Sequence, residues 1–211
     1  MMKSKFYEDL SKEELLGTYL DGFYPQIFKD SPFKVERIWN NRMQHQGIDL
    51  LLKKDTKCFY VDEKAQLDYL NISLPTFAFE ISYLKRTHWR VGWLVDATKV
   101  TQIYFLITNI CLLEKDDLSA GLSNIKIIGV YRSKLLALLK SRGVTQQRII
   151  SIEKNIRNNN MSGRVSIPEL DRKKEGVFYY SKTNKKEQPI NLVLKLSFLL
   201  EQNVGKVLFE L

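Results

Sequence analysis

Two short apolar segments, residues 48–53 and 59–64, are joined through the polar run Lys53-Lys54-Asp55-Thr56-Lys57, and acid interrupts each of them. The first reads Gly47-Ile48-Asp49-Leu50-Leu51-Leu52 and the second Cys58-Phe59-Tyr60-Val61-Asp62-Glu63-Lys64. A charged turn between two such runs predicts a β-hairpin. In an extended strand residues i and i+2 share a face, so Asp62 and Lys64 project together while Glu63 points the opposite way. Hairpin pairing brings Asp49 toward them. The triplets Leu50-Leu51-Leu52 and Phe59-Tyr60-Val61 predict strands buried on both faces, where an unpaired carboxylate is costly. Two carboxylates beside one ammonium hold a divalent cation and polarise a water or a phosphate. The competing reading is an exposed cross-strand ion pair. Glu63, a third acid with no evident cation to offset it, favours the metal site.

A chain of 211 residues, 44% hydrophobic and 27% charged, buries a real core and is not wholly disordered. No apolar run is long enough to span a bilayer, so no membrane partner is expected. The opening residues lack the apolar stretch and cleavage site of a signal peptide. Cys58 and Cys111 each sit in an apolar run without a CxxC pattern. They are expected as reduced core thiols, which fits a cytoplasmic protein.

Charge is uneven. Residues 1–125 carry 16 Lys and Arg against 17 Asp and Glu, a net of −1; residues 126–211 carry 17 against 7, a net of +10. A basic half joined to an acid-bearing half points to a polyanionic partner held through phosphates, with a solvated surface as the plain alternative. The densest basic cluster is Arg172, Lys173 and Lys174, with Lys182, Lys185 and Lys186 nearby in sequence. These six are the candidate nucleic-acid contacts.

Ser11 and Glu14 are spaced as a capping box, and Leu15, Leu16, Tyr19, Leu20 and Phe23 follow at helical spacing. Residues 33–39 alternate as a strand, with Phe33, Val35 and Arg37 on one face. Strands are expected at 76–83, 90–95, 102–108 and 125–131, irregular chain at 114–124, and helices at 133–140 and 145–158. Ile149, Ile152 and Ile156 mark the buried side of the latter. Short strands follow at 164–167 and 177–181, and 190–200 reads as a helix after Pro189. The expected class is α+β or α/β, a mixed central sheet flanked by helices.

Helix, strands, Asp49, a turn, then Asp62-x-Lys64 on the next strand resembles the PD-(D/E)XK nuclease superfamily, in particular its uncharacterised bacterial and phage members. Gly47-Ile48-Asp49 occupies the place usually written Pro-Asp, so the proline is absent. The resemblance covers roughly residues 10–110. It implies a restriction-endonuclease-like αβββαβ core and Mg²⁺- or Mn²⁺-dependent hydrolysis of phosphodiesters, with DNA as the expected nucleic-acid partner. A core at 1–125 and a basic helical and β extension at 126–211 is the implied division, or one domain over 1–211. Under this mapping Asp49 and Asp62 ligate the metal and the Glu63 carbonyl adds a third oxygen. Lys64 orients the attacking water or stabilises charge on the phosphate, and Gln66 positions water or phosphate. Asp21 and Glu36 compete as an added acid. A homodimer would suit double-strand cleavage. The alternatives are a catalytically inactive nuclease-fold protein that binds nucleic acid, an interaction module of a mobile element, and a phosphoesterase for small substrates. Trp39 and Trp89 remain open as base-stacking residues.

Overall fold

The computed structural model describes residues 5–183 and 185–211, with side chains from residue 11 onward. The chain runs α1 (Lys5–Ile27), β1 (Lys34–Arg37), α2 (Asn41–His45), β2 (Leu50–Lys54), β3 (Lys57–Ala65), β4 (Thr76–Lys85), β5 (His88–Val91) and β6 (Ile103–Glu114). It continues through β7 (Asp117–Tyr131), α3 (Arg132–Ser141), α4 (Gln146–Asn158), β8 (Gly163–Val165), β9 (Gly176–Tyr180), β10 (Ile190–Lys195), α5 (Leu196–Glu201) and β11 (Gly205–Glu210). The class is α+β, with one mixed sheet and one antiparallel sheet. Among the described residues no helix is long and apolar enough to cross a membrane.

The chain forms two compact units, neither of them continuous in sequence. Residues 1–74, 100–130 and 206–211 make the first, and residues 75–99 and 131–205 make the second.

In the first unit six strands lie in the order β1-β2-β3-β6-β7-β11. β1, β2 and β3 form an antiparallel meander, and β6 runs parallel to β3. Helix α1 covers one face because Leu16, Leu20 and Tyr24 recur every four residues along it. They join Leu50, Leu52, Val61, Phe105 and Ile107 in one buried cluster. The helix begins well before Ser11, so the Ser11–Glu14 pair lies inside it rather than at its start, and it runs on through Pro25. Helix α1 is followed by β1, β2 and β3, with the short helix α2 between β1 and β2. The connection from β3 to the parallel β6 carries a short 3₁₀ turn and strands β4 and β5 where αβββαβ places a helix.

Residues 114–124, expected as irregular, belong to the long β6 and β7 strands around a turn at Asp116, whose φ is 63°. Their polar residues mark exposed positions of a strand, and Leu118 is buried between them. Neither cysteine is in the core: Cys58 is exposed and Cys111 half-buried, and both are free. Cys58 lies at the turn end of β3.

In the second unit five strands lie in the order β5-β4-β10-β9-β8, antiparallel throughout. The segment 190–200 splits into central strand β10 and the short helix α5. Ile190, Leu192 and Leu194 are buried in alternation, so a period of two overrides the helix propensity of leucine. The strand expected at 90–95 ends at Val91. Gly92 then bonds to the Ile81 carbonyl at 2.7 Å and the chain turns. Helix α4 follows its sequence pattern: the Thr145 hydroxyl caps the Arg148 amide at 3.2 Å, and Ile149, Ile152 and Ile156 face inward.

Candidate functional site

The β2–β3 register ends with Leu50 paired to Val61, and Asp49 and Asp62 are the residues next to that last pair. Asp49 donates its amide to the Val61 carbonyl at 2.8 Å, but its own carbonyl turns away to accept from Ile38 at 2.8 Å. The Asp49 carboxylate takes over as acceptor, its Oδ2 receiving the Glu63 amide at 2.8 Å. The ladder thus ends by exchanging a backbone acceptor for a side-chain one, and that exchange pins the carboxylate beside Asp62.

Asp62 is only 2% exposed. Lys64, on the same strand face, donates to Asp62 Oδ1 and approaches the Glu63 carbonyl at 3.3 Å. The Asp49 and Asp62 carboxyls are themselves hydrogen-bonded, and Asp49 titrates at about 7 against an ordinary 3.8. Burial is the main cause and the charge of Asp62 the next; Lys64 and the Glu63 amide pull the other way without offsetting them. Asp49 is thus the acid that keeps its proton toward neutrality.

Glu63 points to the α1 face, as alternation requires. Tyr24 donates its hydroxyl to Glu63 Oε1, and Arg37 donates Nη1 to Oε2 at 2.5 Å and Nη2 to Oε1 at 3.2 Å. Arg37 also donates Nε to Asp21 Oδ1 at 2.6 Å. Burial lowers the proton affinity of Arg37, but its bonds to Glu63 and Asp21 outweigh this and raise its pKa. Tyr24 is pushed well above its ordinary pKa by burial and then by the charge of Glu63. The two candidate added acids are therefore engaged elsewhere. Asp21 belongs to the Arg37–Glu63 group, and Glu36 accepts from Lys53 at 2.5 Å on exposed surface. Glu63 does have a cation of its own, Arg37, which the sequence reading did not assign. Gln66 lies just past the end of β3, where its amide oxygen accepts from Thr108 Oγ1.

Arg37 and Tyr24 were detectable in principle. A charged residue on the apolar Phe33–Val35 face, and a phenol in the Leu16–Leu20 stripe, each need a buried polar partner.

The donor set suits a hard divalent cation held sparingly. Among the described residues no three His, Cys, Asp or Glu side chains gather as a metal site. Mg²⁺ commonly takes one or two carboxylates and completes its shell with water and phosphate oxygens. Asp49 and Asp62 meet that need. The Glu63 carbonyl lies 3.3 Å from the Lys64 ammonium.

The six basic candidates lie in the second unit. Arg172, Lys173 and Lys174 precede β9 and Lys182, Lys185 and Lys186 follow it, so five residues of strand separate the two groups. At about 3.3 Å per residue this makes two basic ends rather than one patch. The first group is exposed around a turn in which Asp171 Oδ1 accepts from the Lys173 and Lys174 amides at 2.7 and 3.0 Å. Lys182 donates to Asn160 Oδ1. Charge follows the fold more sharply than it follows the sequence. The second unit carries 19 Lys and Arg against 8 Asp and Glu, net +11, and the first carries 14 against 16, net −2. No family model matches the chain, and no curated protein or solved structure matches it.

Proposed function

We propose that the chain is a Mg²⁺- or Mn²⁺-dependent nuclease that hydrolyses phosphodiester bonds, with DNA as its substrate. The observation that carries this reading is the Asp49–Asp62 pair, brought together and hydrogen-bonded at the end of the β2–β3 ladder, with the Lys64 ammonium on the same face as Asp62. A bound divalent cation would neutralise charge on the scissile phosphate and lower the pKa of water beside it. Asp49 and Asp62 would hold that cation, Asp49 giving up its proton. Lys64, released from Asp62 as the cation takes over its charge, would donate to a phosphate oxygen or orient the attacking water. The +11 charge of the second unit supports a polyanionic substrate, since phosphate contacts dominate such binding.

The second reading is a nuclease-fold protein that binds nucleic acid or a partner without cleaving. The burial of Asp62 and its ion pair with Lys64 favour it, because that pair is already neutralised. Incubation of supercoiled and linear DNA with Mg²⁺ or Mn²⁺ separates the two. Metal-dependent nicking by the wild type, lost in Asp62→Ala and Lys64→Ala, supports the nuclease. DNA binding without cleavage by the wild type supports the binding protein.

A further inference from the structure

The second unit holds a cavity of about 230 Å³ between β5 and α4. Trp89, Val91, Ile149 and Ile150 give it apolar walls, and Arg90, Gln146 and Glu153 supply polar groups. It is too small for a drug-sized ligand, whose sites run from about 300 Å³ upward, but it has room for one planar ring.

Trp89 is built as a platform. The Arg157 guanidinium lies 3.3 Å from the centre of its ring. That guanidinium is fixed in turn, with Nη2 donating to Ser82 Oγ at 2.6 Å and Nε to Glu153 Oε1 at 3.1 Å. One face of the indole is therefore clamped by a cation, yet the residue remains 44% exposed. Val91, two residues along edge strand β5, and Ile150 of α4 are also exposed. Arg90 lies between Trp89 and Val91 on β5 and has no ion-pair partner among the described residues. An aromatic ring held rigid on one face and open on the other loses little freedom when a second ring stacks on it. The net +11 of this unit selects for rings that carry phosphate.

We propose that this cavity binds a nucleobase, stacked on the open face of Trp89 with Arg90 on its phosphate. The base comes either from a free nucleotide or from a single-stranded nucleic acid. Gln146 and Glu153 face its hydrogen-bonding edge. The site needs no chemistry at Asp49 and Asp62, so it stands or falls apart from the nuclease reading.

The test uses the full chain in EDTA, which prevents any metal-dependent cleavage, and follows tryptophan fluorescence and the anisotropy of labelled single-stranded oligothymidylate. Oligothymidylate should quench the wild type. Loss of the ring in Trp89→Ala should weaken binding at least about tenfold, whereas Trp89→Phe should stay within about threefold. Arg90→Glu, at an exposed position, should weaken binding several-fold and flatten its salt dependence. Quenching by thymidine monophosphate as well assigns the cavity to nucleotides in general, and quenching by the oligomer alone assigns it to strands. Absence of quenching by both probes overturns the proposal and leaves the cavity to an apolar side chain of a protein partner. Wild-type affinity in Arg90→Glu, or in a folded Trp89→Ala, overturns it equally.

Discussion

The guanidinium of Arg37 grips both carboxylate oxygens of Glu63, Nη1 on Oε2 at 2.5 Å and Nη2 on Oε1 at 3.2 Å. The two side chains are 14% and 12% exposed, so water does little to screen them. Through this grip Glu63 becomes a hub. Its side chain anchors β3 to β1 and α1, its amide holds Asp49, and its carbonyl faces Lys64.

Breaking one partner of a largely buried pair leaves the other uncompensated and costs about 3–5 kcal/mol. Arg37→Ala should therefore lower the urea midpoint strongly. Arg37→Lys should recover only part of it, because an ammonium cannot reproduce the two-pronged geometry. Glu63→Gln should fall between. An Arg37→Ala protein as stable as the wild type would show that the pair contributes nothing.

Asp49 titrates at about 7 in the fold against 3.8 unfolded. Between these values the folded chain holds the extra proton, so this group's contribution to stability is complete below the lower value and is lost as pH rises toward 7. The wild type should lose stability relative to Asp49→Asn across that window, by about a few kcal/mol. Chemical denaturation in a pH series reads the difference. Parallel curves for the two proteins would refute the raised titration.

The same proton must leave when a cation binds, so Mg²⁺ affinity should rise with pH until Asp49 is ionised. Saturation to 100 times the dissociation constant should stabilise the wild type by about 2.7 kcal/mol, seen as a rise in Tm. The Asp49→Asn, Asp62→Asn double variant should show no such rise. An equal rise in both would move the cation elsewhere.

Gly92 is bound by space rather than by backbone conformation. A Cβ there would lie 2.4 Å from the Glu80 carbonyl oxygen and 2.5 Å from its carbon, both backbone atoms of β4. Gly92→Ala should push the turn off β4 and lose about 3 kcal/mol or more, with weakened protection of the Gly92 and Leu94 amides in hydrogen exchange. Wild-type exchange at those two amides would show that β4 yields without loss.

The β2–β3 hairpin was legible because both of its signals are local: apolar runs of strand length, and a charged turn in which Asp55 takes a φ of 51°. Local signals likewise revealed α4, through the Thr145 cap and the isoleucine spacing. Residues 190–200 misled because leucine suits both a helix and a buried strand, and only the flanking β4 and β9 decide between them. The parallel pairing of β3 with β6 joins residues far apart in sequence and leaves no local trace. At the site, Asp49, Asp62 and Lys64 share one hairpin and could be read together. The partners of Glu63 come from α1 and β1, so they emerged only once those elements had packed.

The sheet that carries Asp49 and Asp62 is finished by β11, which lies beside β7 at its far edge and stacks Phe209 on Phe23 of α1 at 4.9 Å. β11 leaves the ribosome only after every residue of the second unit has been made. Until then β7 presents an open edge, and such an edge invites pairing with other chains. During translation, the acid-bearing sheet therefore closes only after the second unit has been made.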